Sequence, residues 1–296
     1  GLGDVYKRQV YQQTLNLTIS EKQKLRRLLE ENYLPKNRVY RYNFFYDNCT
    51  TRARDIIEKC IEGKVVYSEG KERLSFRDIV HQYTKGHEWD ELGIDMCLGS
   101  EADKPIDTRK QMFAPFYMLE AAKKATIVVG DSVRPLILHE KKVVDVEPED
   151  VREGFPLSPM VCVFILIGVT CFVGWLQFKI RKIIWIWDLL LFGVQGLAGC
   201  VITFLVFFST HPTVGSNWLI LLLNPIPLIY LPVMVYRAIK GKKDYYHTIN
   251  IVCLTSFMMI MPFIQQKFNV TVLPLALCLL ICSANHVLLY YRQNNK

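Results

Sequence analysis

The sequence predicts an α+β extracytoplasmic domain followed by an all-α bundle of five membrane-spanning helices, and three observations carry that prediction. Hydropathy changes sharply near Leu157, in a chain whose 296 residues already favour two units. Beyond that point lie five apolar segments, each near the roughly 20 residues that an α-helix needs to cross the hydrocarbon core. Before it, helical periodicity is interleaved with short β-branched and aromatic runs.

Taken in order, residues 1–9 (GLGDVYKRQ) share no periodicity with the chain beyond Gln9 and read as a non-native junction. The extracytoplasmic domain is expected over residues 10–145. Ile19–Tyr33 reads as a helix capped by Ser20, with Gln23 completing a capping box, Leu25, Leu28 and Leu29 on its apolar face, and Pro35 ending it. Val39–Phe45 is aromatic and alternating enough for a strand. Thr50–Ile61 comes next as a helix with Ala53, Ile56, Ile57, Cys60 and Ile61 on one stripe. Ser75 with Asp78 opens a short helix through Tyr83, and Trp89–Leu98 makes another. Phe113–Ala125 is helical, Ile127–Val129 and Leu136–Val144 read as strands, and residues 146–157 form an acidic, proline-containing linker.

The spans are expected at Ser158–Phe178, Ile183–Phe208, Trp218–Tyr236, Thr248–Gln265 and Val272–Tyr291, within a membrane domain of residues 158–291 and before a tail of 292–296. Lys179, Arg181 and Lys182 occupy the first connection; Arg237, Lys240, Lys242 and Lys243 occupy the third. The second, Ser209–Asn217, has no Lys or Arg. The positive-inside rule therefore places the basic connections and the C-terminus in the cytoplasm and the N-terminal domain outside it. These anchors account for part of the net charge of +8, so it is no evidence for a nucleic-acid partner. Asn224, Pro225, Pro227 and Pro232 predict a broken third span, while Gly193, Gly196 and Gly199 predict close helix packing in the second.

The stretch YNFFYDNCTTRARDII, Tyr42–Ile57, carries the chemistry. Cys49 stands where a strand is expected to hand over to a helix, and unpaired N–H groups and the helix dipole there favour a thiolate. Residue physics leaves two readings open, a reactive thiol or a small buried residue before a helix. Cys60, about 16 Å away along the same helix, cannot pair with it. Cys60 and Cys97 read as packing residues. Cys162, Cys171, Cys200, Cys253, Cys278 and Cys282 lie in spans and read as small hydrophobes. None of the six histidines, His81, His87, His139, His211, His247 and His286, has a spacing that marks it as the partner of Cys49. With no CxxC, no HExxH and no acidic calcium loop, no metal and no cofactor are expected.

At YNFFYDNCTTRARDII the chain resembles the Lnb family of Bacteroides-type lipoprotein N-acyltransferases. The resemblance extends through VYQQTLNLT, FRDIVHQYTKGHEWDELGIDMCLGSEADKPID and RKQMFAPFYM into FFSTHPTVGSNW and LNPIPL of the membrane half. It implies a circularly permuted papain-like (NlpC/P60-like) thiol domain, truncated here at its N-terminal end, above a five-helix membrane domain. It also implies a function: N-acylation of the N-terminal cysteine of a diacylated lipoprotein, with a phospholipid or lipoprotein as acyl donor and a thioacyl intermediate on Cys49. Asn48 and Thr50 would orient the thiol or line the oxyanion site, and His211 and Asn217 would line a site at the membrane face. The base implied is a histidine upstream of Val10, so residues 10–296 alone are expected to be inactive. Two alternatives stand beside this: a membrane-tethered cysteine peptidase or amidase of the cell envelope, and a non-enzymatic membrane scaffold with Cys49 in its core.

Overall fold

The computed structural model describes residues 10–68, 70, 73–144 and 155–294. Residues 1–9, expected to be a junction, most of the expected 146–157 linker and the last two tail residues lie outside the described residues. The chain forms two compact units, residues 1–83 with 104–153, and residues 84–103 with 154–296.

The first unit is mixed α/β. β1 (Val10–Leu15) pairs antiparallel with β5 (Ile137–Val144), and β2 (Lys64–Val66), β3 (Thr126–Val129) and β4 (Ser132–Pro135) form a separate sheet in the order β2-β3-β4. Its helices are α1 (Ile19–Tyr33), α2 (Cys49–Cys60) and α3 (Phe76–Thr84), whose last residue falls at the unit boundary; after α4 (Glu88–Cys97), which belongs to the other unit, come α5 (Thr108–Gln111) and α6 (Pro115–Lys124). Cys60, Ile61, Ala122, Ala125, Ile127 and Leu136 are buried together, with Leu25, Leu28 and Ile57 packed against them. Cys60 is thus core, as its position on the stripe predicts, and burial pushes its thiol up.

Three local expectations are corrected. The cap of α1 is Thr18, whose Oγ1 accepts from Glu21 N, while Glu21 Oε2 accepts from Thr18 N at 2.8 Å. Ser20 lies inside the first turn, and Gln23 is not the capping-box partner. Residues 39–45 form no strand: Asn43 and Asp47 exchange backbone hydrogen bonds across a tight turn that drives Phe45 inward. The buried face of α2 holds Thr51, Arg54 and Cys60, whereas Ala53 is exposed. β1 escaped the sequence reading because its inward register carries Gln13, whose amide donates to Leu119 O and Glu140 and so breaks the apolar alternation.

The second unit contains five helical stretches long and apolar enough to cross a membrane: Pro159–Ile180, Trp185–Phe208, Pro212–Ile239, Tyr245–Phe263 and Val272–Gln293. The third is broken, as its prolines predict. A short turn at Pro212–Gly215 and a 3₁₀ turn at Trp218–Leu221 precede the helix Ile226–Ile239. The second span fits the break. Gln195 Nε2 donates to the freed Leu222 carbonyl at 2.8 Å, and a Cβ on Gly199 would strike the Asn224 backbone. A Cβ on Gly196 would meet Leu228 Cβ at 2.5 Å.

Residues 84–103, which the sequence reading assigns to the extracytoplasmic half, fold with the spans. They are stitched to the second and fourth connections by Gly99 N to Thr213 O (2.7 Å), Gln266 Nε2 to Leu98 O (3.3 Å) and Asn269 Nδ2 to Asp95 (3.0 Å). A Cβ on Gly99 would meet the Ser216 carbonyl carbon at 2.6 Å, so this approach requires glycine.

Candidate functional site

Cys49 is the first residue of α2, and Asn48 sets how it is presented. With an extended backbone (φ −117°, ψ −179°), Asn48 accepts the N–H groups of Thr50 and Thr51 on Oδ1, each at 2.9 Å. Its Nδ2 donates to the carbonyls of Phe44 and Phe113, each at 2.9 Å. Thr51 Oγ1 accepts the Asn48 N–H at 2.8 Å and closes the capping box. One short side chain therefore supplies an acceptor to the helix and two donors to the loop beneath it, which an amide can do and a carboxylate or hydroxyl cannot. Asn48 is 5% exposed, yet the next residue is exposed, so the thiol stands out from a rigid, buried cap.

The aromatic lead-in supports the turn. Phe45, Phe76 and Phe113 pack with ring centroids 4.5, 5.0 and 5.3 Å apart, and Phe44 packs edge-on to Phe45. On the solvent side, Arg52 pairs with both carboxylate oxygens of Asp47 (2.8 and 3.0 Å) and lies 3.5 Å over the Tyr40 ring. Tyr42 lies close enough to Cys49 to feel its charge: burial pushes the phenol up, and a negative sulfur pushes it further.

Of the residues expected to orient the thiol or line an oxyanion site, Asn48 and the Thr50 N–H are both committed to the cap. Cys49, as the first residue of the helix, carries one of the N–H groups that have no partner within a helix. Among the described residues no histidine hydrogen-bonds to Cys49; His139 is exposed on β5, and His81 is half-buried on α3. Beneath α2 is a charged layer that periodicity alone did not reveal. Buried Arg54 donates to Arg109 O at 2.7 Å and to Asp55, while Arg109 reaches Asp55 (2.7 Å) and Glu58 (2.9 Å). Tyr67 donates to Glu58 at 3.0 Å. The sequence signal was a charged residue at a stripe position, Arg54.

In the second unit, His211 is half-buried before Pro212. Asn217 is buried and engaged at both ends of its amide: Nδ2 donates to Met96 O (2.7 Å), while Oδ1 accepts from Leu219 N and from Gln266 Nε2, each at 3.0 Å. The structure gives Asn217 a bracing position.

A second constellation lies at the end of the bundle that carries the basic connections. Asp188 of the second span is fully buried, with its Oδ2 2.8 Å from Nε2 of His286 and its Oδ1 3.4 Å from Sγ of Cys282, both on the fifth span. The His247 ring stacks on His286 at 3.8 Å, and Ser283 Oγ joins His247 Nδ1 (3.4 Å) to Asn250 Nδ2 (2.9 Å). Cys282 thus sits beside a carboxylate rather than only among hydrophobes, and His247 is buried inside the bundle. The signal available in the sequence was Cys282 and His286 four apart on one helix face, with an aspartate in another span.

A family model described as the Lnb N-terminal periplasmic domain matches residues 3–85, and a second, described as the Lnb transmembrane domain, matches residues 150–294. No curated protein and no solved structure matches the chain.

Proposed function

The chain belongs to the Lnb family, and on that premise we propose that it is a membrane-bound thiol acyltransferase that N-acylates bacterial lipoproteins through Cys49. The observation that carries this reading is the exposed thiol at the first position of a helix whose cap is otherwise saturated. Of the three cysteines outside the spans, Cys60 is buried and Cys97 half-buried.

In the first step the Cys49 thiolate attacks the carbonyl of a glycerolipid ester. The C–S bond forms, the C–O bond breaks, and the lysolipid alkoxide leaves with a proton. In the second, the α-amine of a diacylated lipoprotein's N-terminal cysteine attacks the thioester, the C–N bond of the amide forms as the C–S bond breaks, and the proton lost by the amine passes to the Cys49 sulfur. The Cys49 N–H and the helix dipole stabilise both oxyanions, with Asn48 and Thr50 holding that amide in place. A histidine serves as the base in this reading, in a permuted papain-like arrangement. The five spans keep the domain at the inner membrane, where donor and acceptor both reside, with the C-terminus cytoplasmic and His211 lining the outer mouth of the bundle.

Mass spectrometry of lipoprotein N-termini, in cells that depend on the full-length gene, tests this. Cys49→Ala is expected to abolish N-acylation, and retained N-acylation would sink the proposal. Loss of peptidoglycan cleavage with N-acylation intact would instead favour a cysteine peptidase.

A further inference from the structure

We propose that Asp188, Cys282 and His286 form an intramembrane site for a divalent transition-metal ion of the zinc class, independent of Cys49. The three donor atoms lie within 4.8 Å of one another, on side chains no more than 5% exposed. Zinc bonds of about 2.0–2.3 Å in a tetrahedron place ligand atoms roughly 3.3–3.8 Å apart. The Asp188 Oδ1 to Cys282 Sγ distance of 3.4 Å fits that range, while the 2.8 Å between His286 Nε2 and the other carboxylate oxygen, Oδ2, is shorter and opens when a tetrahedron forms.

A plain Asp–His ion pair explains the geometry less well. Although Asp188 Oδ2 and His286 Nε2 are 2.8 Å apart, neither atom has a hydrogen-bond partner among the described residues. Two buried polar atoms this close without a hydrogen bond are accounted for by an ion between them. The Nε2 of His247, whose ring stacks on His286, is also buried without a partner.

Charge supports the same assignment. A lone carboxylate inside a membrane bundle is costly. A divalent ion bound by one carboxylate, one thiolate and one neutral imidazole makes a site of zero net charge. The mixed O, S, N donor set selects zinc-like ions over magnesium or calcium. Three protein ligands leave a fourth position open, and one of them, His286, also lines a pocket with Lys242, Lys243, Asp244 and Tyr290 at the basic end. No sequence motif announces the site because its ligands come from two spans.

Cobalt(II) is the probe. The full chain, purified in detergent and stripped with a chelator, is expected to bind about one Co²⁺ with tetrahedral visible bands and a near-ultraviolet thiolate charge-transfer band. Cys282→Ser is expected to remove that band, and His286→Ala to weaken binding at least about tenfold. Cys49→Ala and Cys171→Ser are expected to leave the spectrum unchanged, which separates this site from the thiol of the proposed transferase. A wild-type spectrum without thiolate charge transfer, or a Cys282→Ser chain that keeps it, would overturn the assignment. The wild-type spectrum decides the matter even if a variant does not fold.

Discussion

Asn48 shows how much one side chain can carry. Its acceptor holds the helix start and its two donors hold the carbonyls of Phe44 and Phe113, so Asn48→Ala loses a cap and strands two carbonyls. We expect a loss of about 1–2 kcal/mol from the cap alone, read as a lower unfolding temperature of the first unit by calorimetry on the full chain. Asn48→Asp keeps the cap and loses the donors, and should fall between the two. Glu21 is the other decisive residue. Burial pushes its carboxyl up, but hydrogen bonds from the Thr18 and Glu62 N–H groups and from Arg134 outweigh that and hold it below its usual value. A depressed carboxylate stabilises the fold above its unfolded pKa and ceases to do so as pH falls through the folded one. The calorimetric transition of the first unit should therefore drop below about pH 4.5, and Glu21→Gln should flatten that drop. The place of Cys49 at a helix start was legible because Asn-Cys-Thr-Thr is a local pattern, whereas the capping role of Asn48 was not read from it. Glu21 was not, since its partners Glu62 and Arg134 are distant in sequence.

At the scale of elements, helices were read well and strands poorly. Helical stripes repeat within the element, whereas β1 and β2 owe their conformation to partners elsewhere, β5 and β3. The expected strand at 39–45 failed for the same reason: its aromatics serve a turn packed on Phe76 and Phe113. The glycines of the second span are interpretable one at a time. Gly199→Ala should cost about 1–3 kcal/mol, because the new methyl meets the Asn224 backbone, which cannot move aside. Gly168→Ala on the first span, with open space around it, should be near neutral. Aggregation midpoints of the two variants in the same detergent would check the contrast.

For the whole molecule, hydropathy divided the chain correctly into a periplasmic domain and five membrane helices, while the inclusion of residues 84–103 in the membrane unit had no local signature. The contacts that place it there, from Asn217, Gln266 and Asn269, are made across more than a hundred residues. Orientation can be tested directly: a membrane-impermeant maleimide applied to intact spheroplasts should modify Cys49, whereas Lys182→Cys or Lys242→Cys should react only after permeabilisation. Labelling of both faces without permeabilisation would contradict the assigned topology. The broken third span bears on how the protein is made. Its freed Leu222 carbonyl is satisfied by Gln195, and the close approach at Asn224 depends on Gly199, so the break has no support until the second span is beside it. The second and third spans must then leave the insertion machinery as one hairpin. A ribosome-tethered chain ending just after the third span should already show the crosslink between positions 195 and 222, while a third span synthesised alone should enter the bilayer without its native bend.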